Sequence, residues 1–147
     1  MARETVVLLA NEVAGQRRLE DLLTEFGWNI EKVTTLAGLA ELSARVDILV
    51  VVVDAAAVEL PWKDAISMVR EAAPKSLPIL CHRISDAIDW VEASAAGAFD
   101  LLGLPLDQGE LRQSLGFAWA AKNNRFRLIP MPGRDRRQFR KAAASAG

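Results

Sequence analysis

The chain has 147 residues, about one domain's length, and its 51% apolar and 25% charged residues are the balance of a globular protein. One cysteine and one histidine exclude an internal disulfide, a cysteine-based zinc site and a multi-histidine metal site. The net charge of −1 hides an asymmetry: residues 1–121 carry 10 Lys+Arg and 18 Asp+Glu, net −8, whereas residues 122–147 carry 8 Lys+Arg and 1 acid, net +7.

Arg3 and Glu4 lead directly into an apolar run, without the pattern of a signal peptide, and no apolar stretch is long enough to span a membrane. The expected location is the cytoplasm. Val6-Val7-Leu8-Leu9-Ala10 reads as a short buried strand, with Asn11 and Glu12 at its C-terminal end. Leu19, Leu22, Leu23 and Phe26 fall at i, i+3, i+4 and i+7, one face of a first helix, and Gly27 ends it. Trp28 to Val33 reads as a second strand. Thr34 or Thr35 caps a second helix containing Leu36, Leu39, Ala40 and Leu42. After Asp47 comes Ile48-Leu49-Val50-Val51-Val52-Val53-Asp54, a continuous β-branched run that ends in a carboxylate. Such a run reads as a strand buried on both faces, at the centre of a parallel sheet.

Residues 55–61 read as a loop. A third helix follows from about Trp62 to Ala73, with Ile66, Val69 and Arg70 at helical spacing, closed by Pro74. Leu77-Pro78-Ile79-Leu80-Cys81 is a fourth strand, its proline near the start, where the missing N–H does least harm. Ser85 is the expected cap of a fourth helix whose apolar stripe is Ile84, Ile88, Val91 and Ala95, ended by Gly97. Ala98 to Leu102 is a fifth strand. Asp107 and Glu110 open a fifth helix with Leu111, Leu115 and Ala118 on one face.

Strict alternation of strand and helix demands an α/β fold: a five-stranded parallel sheet with five helices on both faces and right-handed crossovers. Five strands in a chain this short fit the flavodoxin-like order 2-1-3-4-5. In that fold the loops after strands one, three, four and five converge on one edge. They bring Asn11 and Glu12, Asp54, His82 and Arg83, and Leu104-Pro105 together. A flavin-binding enzyme fits poorly, because Asn11-Glu12-Val13-Ala14-Gly15 is no Ser/Thr/Gly-rich phosphate loop.

Residues 5–121 resemble the receiver (CheY-like) domain of two-component response regulators. The resemblance is carried by Leu8-Leu9-Ala10-Asn11-Glu12 with Arg17 beyond, Asp54 after its strand, Leu60-Pro61-Trp62-Lys63-Asp64, Leu77-Pro78-Ile79-Leu80, and the segment from Ala95 to Leu106. It implies a strand-end aspartate that accepts a phosphoryl group, two acids after the first strand that hold Mg²⁺, and a Thr/Ser and a Lys that grip the phosphoryl oxygens. It also implies a signalling role with a histidine kinase or a downstream protein as partner.

Most of those parts are altered here. The acidic pair is Asn11-Glu12, the Thr/Ser position falls on His82, and the Lys position is Leu104. Asp54 is the remaining acceptor candidate. Its register is irregular: counting from Asp47 points near Val52, and counting back from Leu60-Pro61 points near Ala57. The metal candidates are therefore a weak set, Asn11, Glu12 and Asp54. Each preorganised charge contact removed from a transition state costs on the order of 3–4 kcal/mol. The expectation is a degenerate, pseudo-receiver domain, not an enzyme, that requires no cofactor and at most holds Mg²⁺ weakly. A phospho-acceptor that still uses Asp54 with weak Mg²⁺ is the alternative.

His82 reads either as a phosphate ligand or switch, or as a plain strand-end residue. Cys81 reads as a small core residue. Trp90 reads either as a partner anchor or as a ring packed on the flank of the core. The resemblance implies a partner or homodimer surface on helix four, strand five and helix five. Residues 122–147 read as a basic C-terminal tail. Ile129-Pro130-Met131-Pro132-Gly133 is a linker, and Arg134, Arg136, Arg137, Arg140 and Lys141 follow. The tail is either solvated or a contact for nucleic acid or an acidic partner. With the closing Ala-Ala-Ala-Ser-Ala-Gly, no folded output domain is expected after it.

Overall fold

The computed structural model describes residues 4–9, 20–21, 23–25, 27–55, 60–104 and 106–123. Its strands are β1 (Thr5–Leu9), β2 (Asn29–Val33), β3 (Ile48–Asp54), β4 (Leu77–His82) and β5 (Asp100–Gly103). All neighbours are parallel, in the order β2-β1-β3-β4-β5. The helices are α1, described at residues 20–21 and 23–25, α2 (Leu36–Arg45), α3 (Trp62–Ala72), α4 (Trp90–Ala96) and α5 (Gln108–Lys122). The expected class and strand order are those observed.

The sheet divides the core in two. Leu39 and Leu42 of α2, Ala65, Ile66 and Val69 of α3 and Ala93 of α4 cover one face. Leu23 of α1 and Leu111, Leu115 and Ala118 of α5 cover the other. β3 serves both layers: Ile48, Val51 and Val53 point to the first, Leu49, Val50 and Val52 to the second. Every residue from Ile48 to Val53 is buried. This is why the strand is a β-branched run rather than an alternating one.

Leu49 and Val50 are adjacent yet share a face. The pairing with β1 shifts between Thr5 and Val6, so that Thr5 lies opposite Ile48 and Val6 opposite Val50. One extra residue thus enters β3, as in a β-bulge. It supplies one of the two residues by which counting from Asp47 falls short of Asp54.

Local chemistry sets the ends of the helices. Thr35 caps α2, its hydroxyl oxygen accepting from the Gly38 N–H at 3.0 Å. Asp107 caps α5, accepting from the Glu110 N–H at 2.9 Å. α5 runs through Lys122, one residue past the expected boundary at 121. The Lys122 ammonium donates to the Ile48 carbonyl at 2.8 Å, fastening the end of α5 to the start of β3.

The fourth helix corrects the sequence reading. Ile84–Asp86 form a 3-10 turn, and α4 begins only at Trp90, capped by Asp89 and not Ser85. Asp86 accepts from the Arg83 N–H at 2.8 Å and donates its own N–H to the Arg83 carbonyl at 2.9 Å. That closed turn uses up the residues expected to start the helix. Ala87 follows at φ 51°, outside helical geometry, and Asp89 then accepts from the Val91 N–H at 3.1 Å. The later start rotates the face: Ala93 is buried, while Val91 and Ala95, expected in the stripe, are exposed. Ala40, expected on the apolar face of α2, is also exposed.

Between β5 and α5 a polar tie adds to the apolar packing of Leu102 against Leu111 and Leu115. Asp100 and Ser114 are both fully buried. One Asp100 oxygen accepts from the Leu101 N–H at 2.8 Å and the other from the Ser114 hydroxyl at 2.7 Å. A buried carboxyl group that loses one of its donors has one oxygen less well satisfied, so Ser114→Ala is expected to lower stability by about 1–3 kcal/mol, read by urea unfolding. Gly97 ends α4 at φ 111°, and a Cβ there would meet the Arg70 side chain at 2.5 Å. The side chain can swing away, but the left-handed backbone remains unfavourable for any other residue. Gly97→Ala is expected to cost about 1 kcal/mol, with the unfolding midpoint lowered and the slope unchanged.

Candidate functional site

The sheet register brings the sequence-predicted groups to one edge. Asp54, the last residue of β3, pairs with Cys81 of β4, and Cys81 pairs with Leu102 of β5. One step further out, His82 pairs with Gly103. Two backbone hydrogen bonds close the edge: Ala55 N–H to the Cys81 carbonyl at 2.9 Å, and Leu104 N–H to the His82 carbonyl at 2.8 Å. Asp54, His82 and Leu104 therefore share one rim. Asn11, Glu12 and Pro105 lie outside the described residues.

Asp54 has a side chain 20% exposed, and its Oδ1 lies 3.5 Å from Nη1 of Arg83. The sequence places Arg83 at this edge but gives no sign of the pairing. The two are 29 residues apart and meet only through the parallel β3–β4 register. The tight turn with Asp86 holds the Arg83 backbone at the other end. His82 turns its Nδ1 toward the neighbouring Arg83 carbonyl at 3.1 Å. Leu104 brings an apolar side chain, partly buried against the α5-side core, where the family resemblance would put a lysine ammonium.

Among the described residues this set does not fit a magnesium ion. No group of three or more His, Cys, Asp or Glu is close enough to hold a metal. Mg²⁺ asks for oxygen ligands in near-octahedral array, whereas Asp54 has a guanidinium beside its carboxylate and Asp86 is spent on its own turn.

Trp90 opens α4 half-buried, with its ring packed against the α3-side core. Its indole N–H is buried and has no hydrogen-bond partner among the described residues. The neighbouring Val91, at 64% exposed, is the apolar side chain that α4 offers to solvent. Lys63 of α3 reaches Glu92 of α4 at 3.0 Å across the outer surface.

Cys81 is buried among apolar side chains, as expected of a small core residue. Burial pushes its thiol far up, and the nearby carboxylates of Asp54 and Asp100 push it further the same way. The thiol is therefore neutral in the folded chain at any ordinary pH, and native protein at pH 8 is expected to resist a thiol-alkylating reagent until denatured. The linked pH effect has a definite sign. Above the ordinary thiol value of 9.0 the unfolded chain loses this proton while the folded chain keeps it. Stability is thus intact below that pH and declines as pH rises past it, a fall that Cys81→Ala should reduce in urea melts from pH 8 to 10.5.

No protein-family model matches the chain, and no curated protein matches it. Solved structures do. The response regulator receiver domain from Clostridium thermocellum superposes with a TM-score of 0.70 at 20% identity, over 86% of this chain and 99% of that one. A CheY-like receiver domain from Methanospirillum hungatei gives 0.69 at 13% identity, over 84% and 99%. The receiver domain of a sensor histidine kinase from Pseudomonas aeruginosa, with magnesium coordinated in its active-site cleft, gives 0.63 at 19% identity, over 78% and 95%. Identities this low speak for architecture alone: the chain has the CheY-like fold of receiver domains.

Proposed function

We propose that this chain is a pseudo-receiver, a signalling module that works by binding a protein partner rather than by catalysis. The observation that carries the reading is the state of the rim. Asp54 has the Arg83 guanidinium beside it, and an apolar Leu104 stands where an ammonium would steady a phosphoryl group. Phosphoryl transfer depends almost wholly on positioned charge, so loss of such contacts removes activity more readily than it removes the fold.

The partner is a histidine kinase or a downstream signalling protein, met in the cytoplasm. The proposed contact surface, also a route to a homodimer, is α4, β5 and α5, with Trp90 and the exposed Val91 at its start. A second reading is a working phospho-acceptor that uses Asp54 with weakly bound Mg²⁺, favoured by the magnesium described in the histidine-kinase receiver. A third is an adaptor whose basic tail meets nucleic acid or an acidic partner, favoured by the net +7 of residues 122–147.

Incubation with a small phosphodonor and 10-fold excess Mg²⁺ over protein, followed by intact-mass measurement, separates the first two. No added phosphate is expected. Phosphate incorporated in the parent and lost in Asp54→Ala would replace this reading with the second.

A further inference from the structure

Arg83 presents its guanidinium to Asp54, with Nη1 3.5 Å from Oδ1. The arginine is not a loose surface group at its root. Its N–H donates to Asp86 and its carbonyl accepts from the Asp86 N–H, so the residue is held by the 3-10 turn that leads into α4. Only the far end of the side chain, about half exposed, is free to move.

We infer that Arg83 is a resident counter-cation at Asp54 that weakens the binding of divalent metal there. A Mg²⁺ or Mn²⁺ ion binding Asp54 must approach the carboxylate oxygen to about 2.0–2.2 Å. The guanidinium stands 3.5 Å from one of the two carboxylate oxygens, Oδ1, and adds like-charge repulsion to an ion at either. It also neutralises the carboxylate that would attract the ion. A pair as exposed as this one is worth no more than about a fivefold change in an equilibrium, so Arg83 tunes ion affinity rather than abolishing it. The inference deepens the pseudo-receiver reading and rests on it.

Mn²⁺ serves as the probe, because the electron paramagnetic resonance signal of free Mn²⁺ counts bound ion directly. The full chain is titrated at fixed ionic strength as parent, Arg83→Ala, Arg83→Lys, Asp54→Asn and Arg83→Ala/Asp54→Asn. Arg83→Ala is expected to bind Mn²⁺ about three- to fivefold more tightly than the parent, and Arg83→Lys to stay within about twofold of it. The double variant should lose the gain. An Arg83→Ala chain that binds no more tightly, or not at all, overturns the inference. So does a gain that persists after Asp54→Asn. The measurement uses no phosphodonor and no partner, so its failure leaves the partner-binding reading standing. Phosphate incorporation in the parent would overturn that reading whatever the Mn²⁺ result.

Discussion

Burial of β3 on both faces is the constraint on which the rest depends. Helices α2, α3 and α4 cover one side and α1 and α5 the other, and Ile48 to Val53 are all enclosed. A polar side chain inside that strand would be desolvated with no partner, at a cost comparable to a large share of a domain's net stability. Polar chemistry on β3 is therefore confined to its end. Asp54 is the first position where a carboxylate reaches partial exposure.

The rim that results is governed by local charge balance. Asp54 gains an arginine from the turn after β4. Cys81, one strand over, is held neutral by burial. The second carboxylate, Asp100, lies fully within the core and is satisfied by Ser114 and a backbone N–H. Each group is compensated in a different way. The neighbouring turn is less settled: Ala87 adopts a positive φ, and the Trp90 indole N–H beyond it is buried with no partner among the described residues. These small costs lie between the rim and α4.

The architecture was legible because burial writes itself into residue type. The unbroken run before Asp54, the alternation of strand and helix, and the capping pair Asp107 and Glu110 led to the observed sheet order and to α5. Four features were illegible for physical reasons. The start of α4 was misplaced because Ser85 is a good cap by type, whereas a turn closed by Asp86 leaves that role to Asp89. Ser114 looks like a surface residue by type; only its distant partner Asp100 makes it a core group. The bulge opposite Thr5 and Val6 has no glycine or proline to announce it, and it displaced the expected register of Asp54. The Asp54–Arg83 contact arises from tertiary pairing and leaves no local trace.

The hydrogen bond from Lys122 to the Ile48 carbonyl ties the end of α5 to the start of the same strand that ends in Asp54. At about 3.3 Å per residue the two ends of β3 are about 20 Å apart. Between exposed charges that distance is more than two Debye lengths at physiological salt, where one is about 8 Å, but the path here is the buried strand, where salt screens much less. A change of charge at Asp54 is thus transmitted to the end of α5 by β3 itself, through its dry interior as well as through any displacement of the strand.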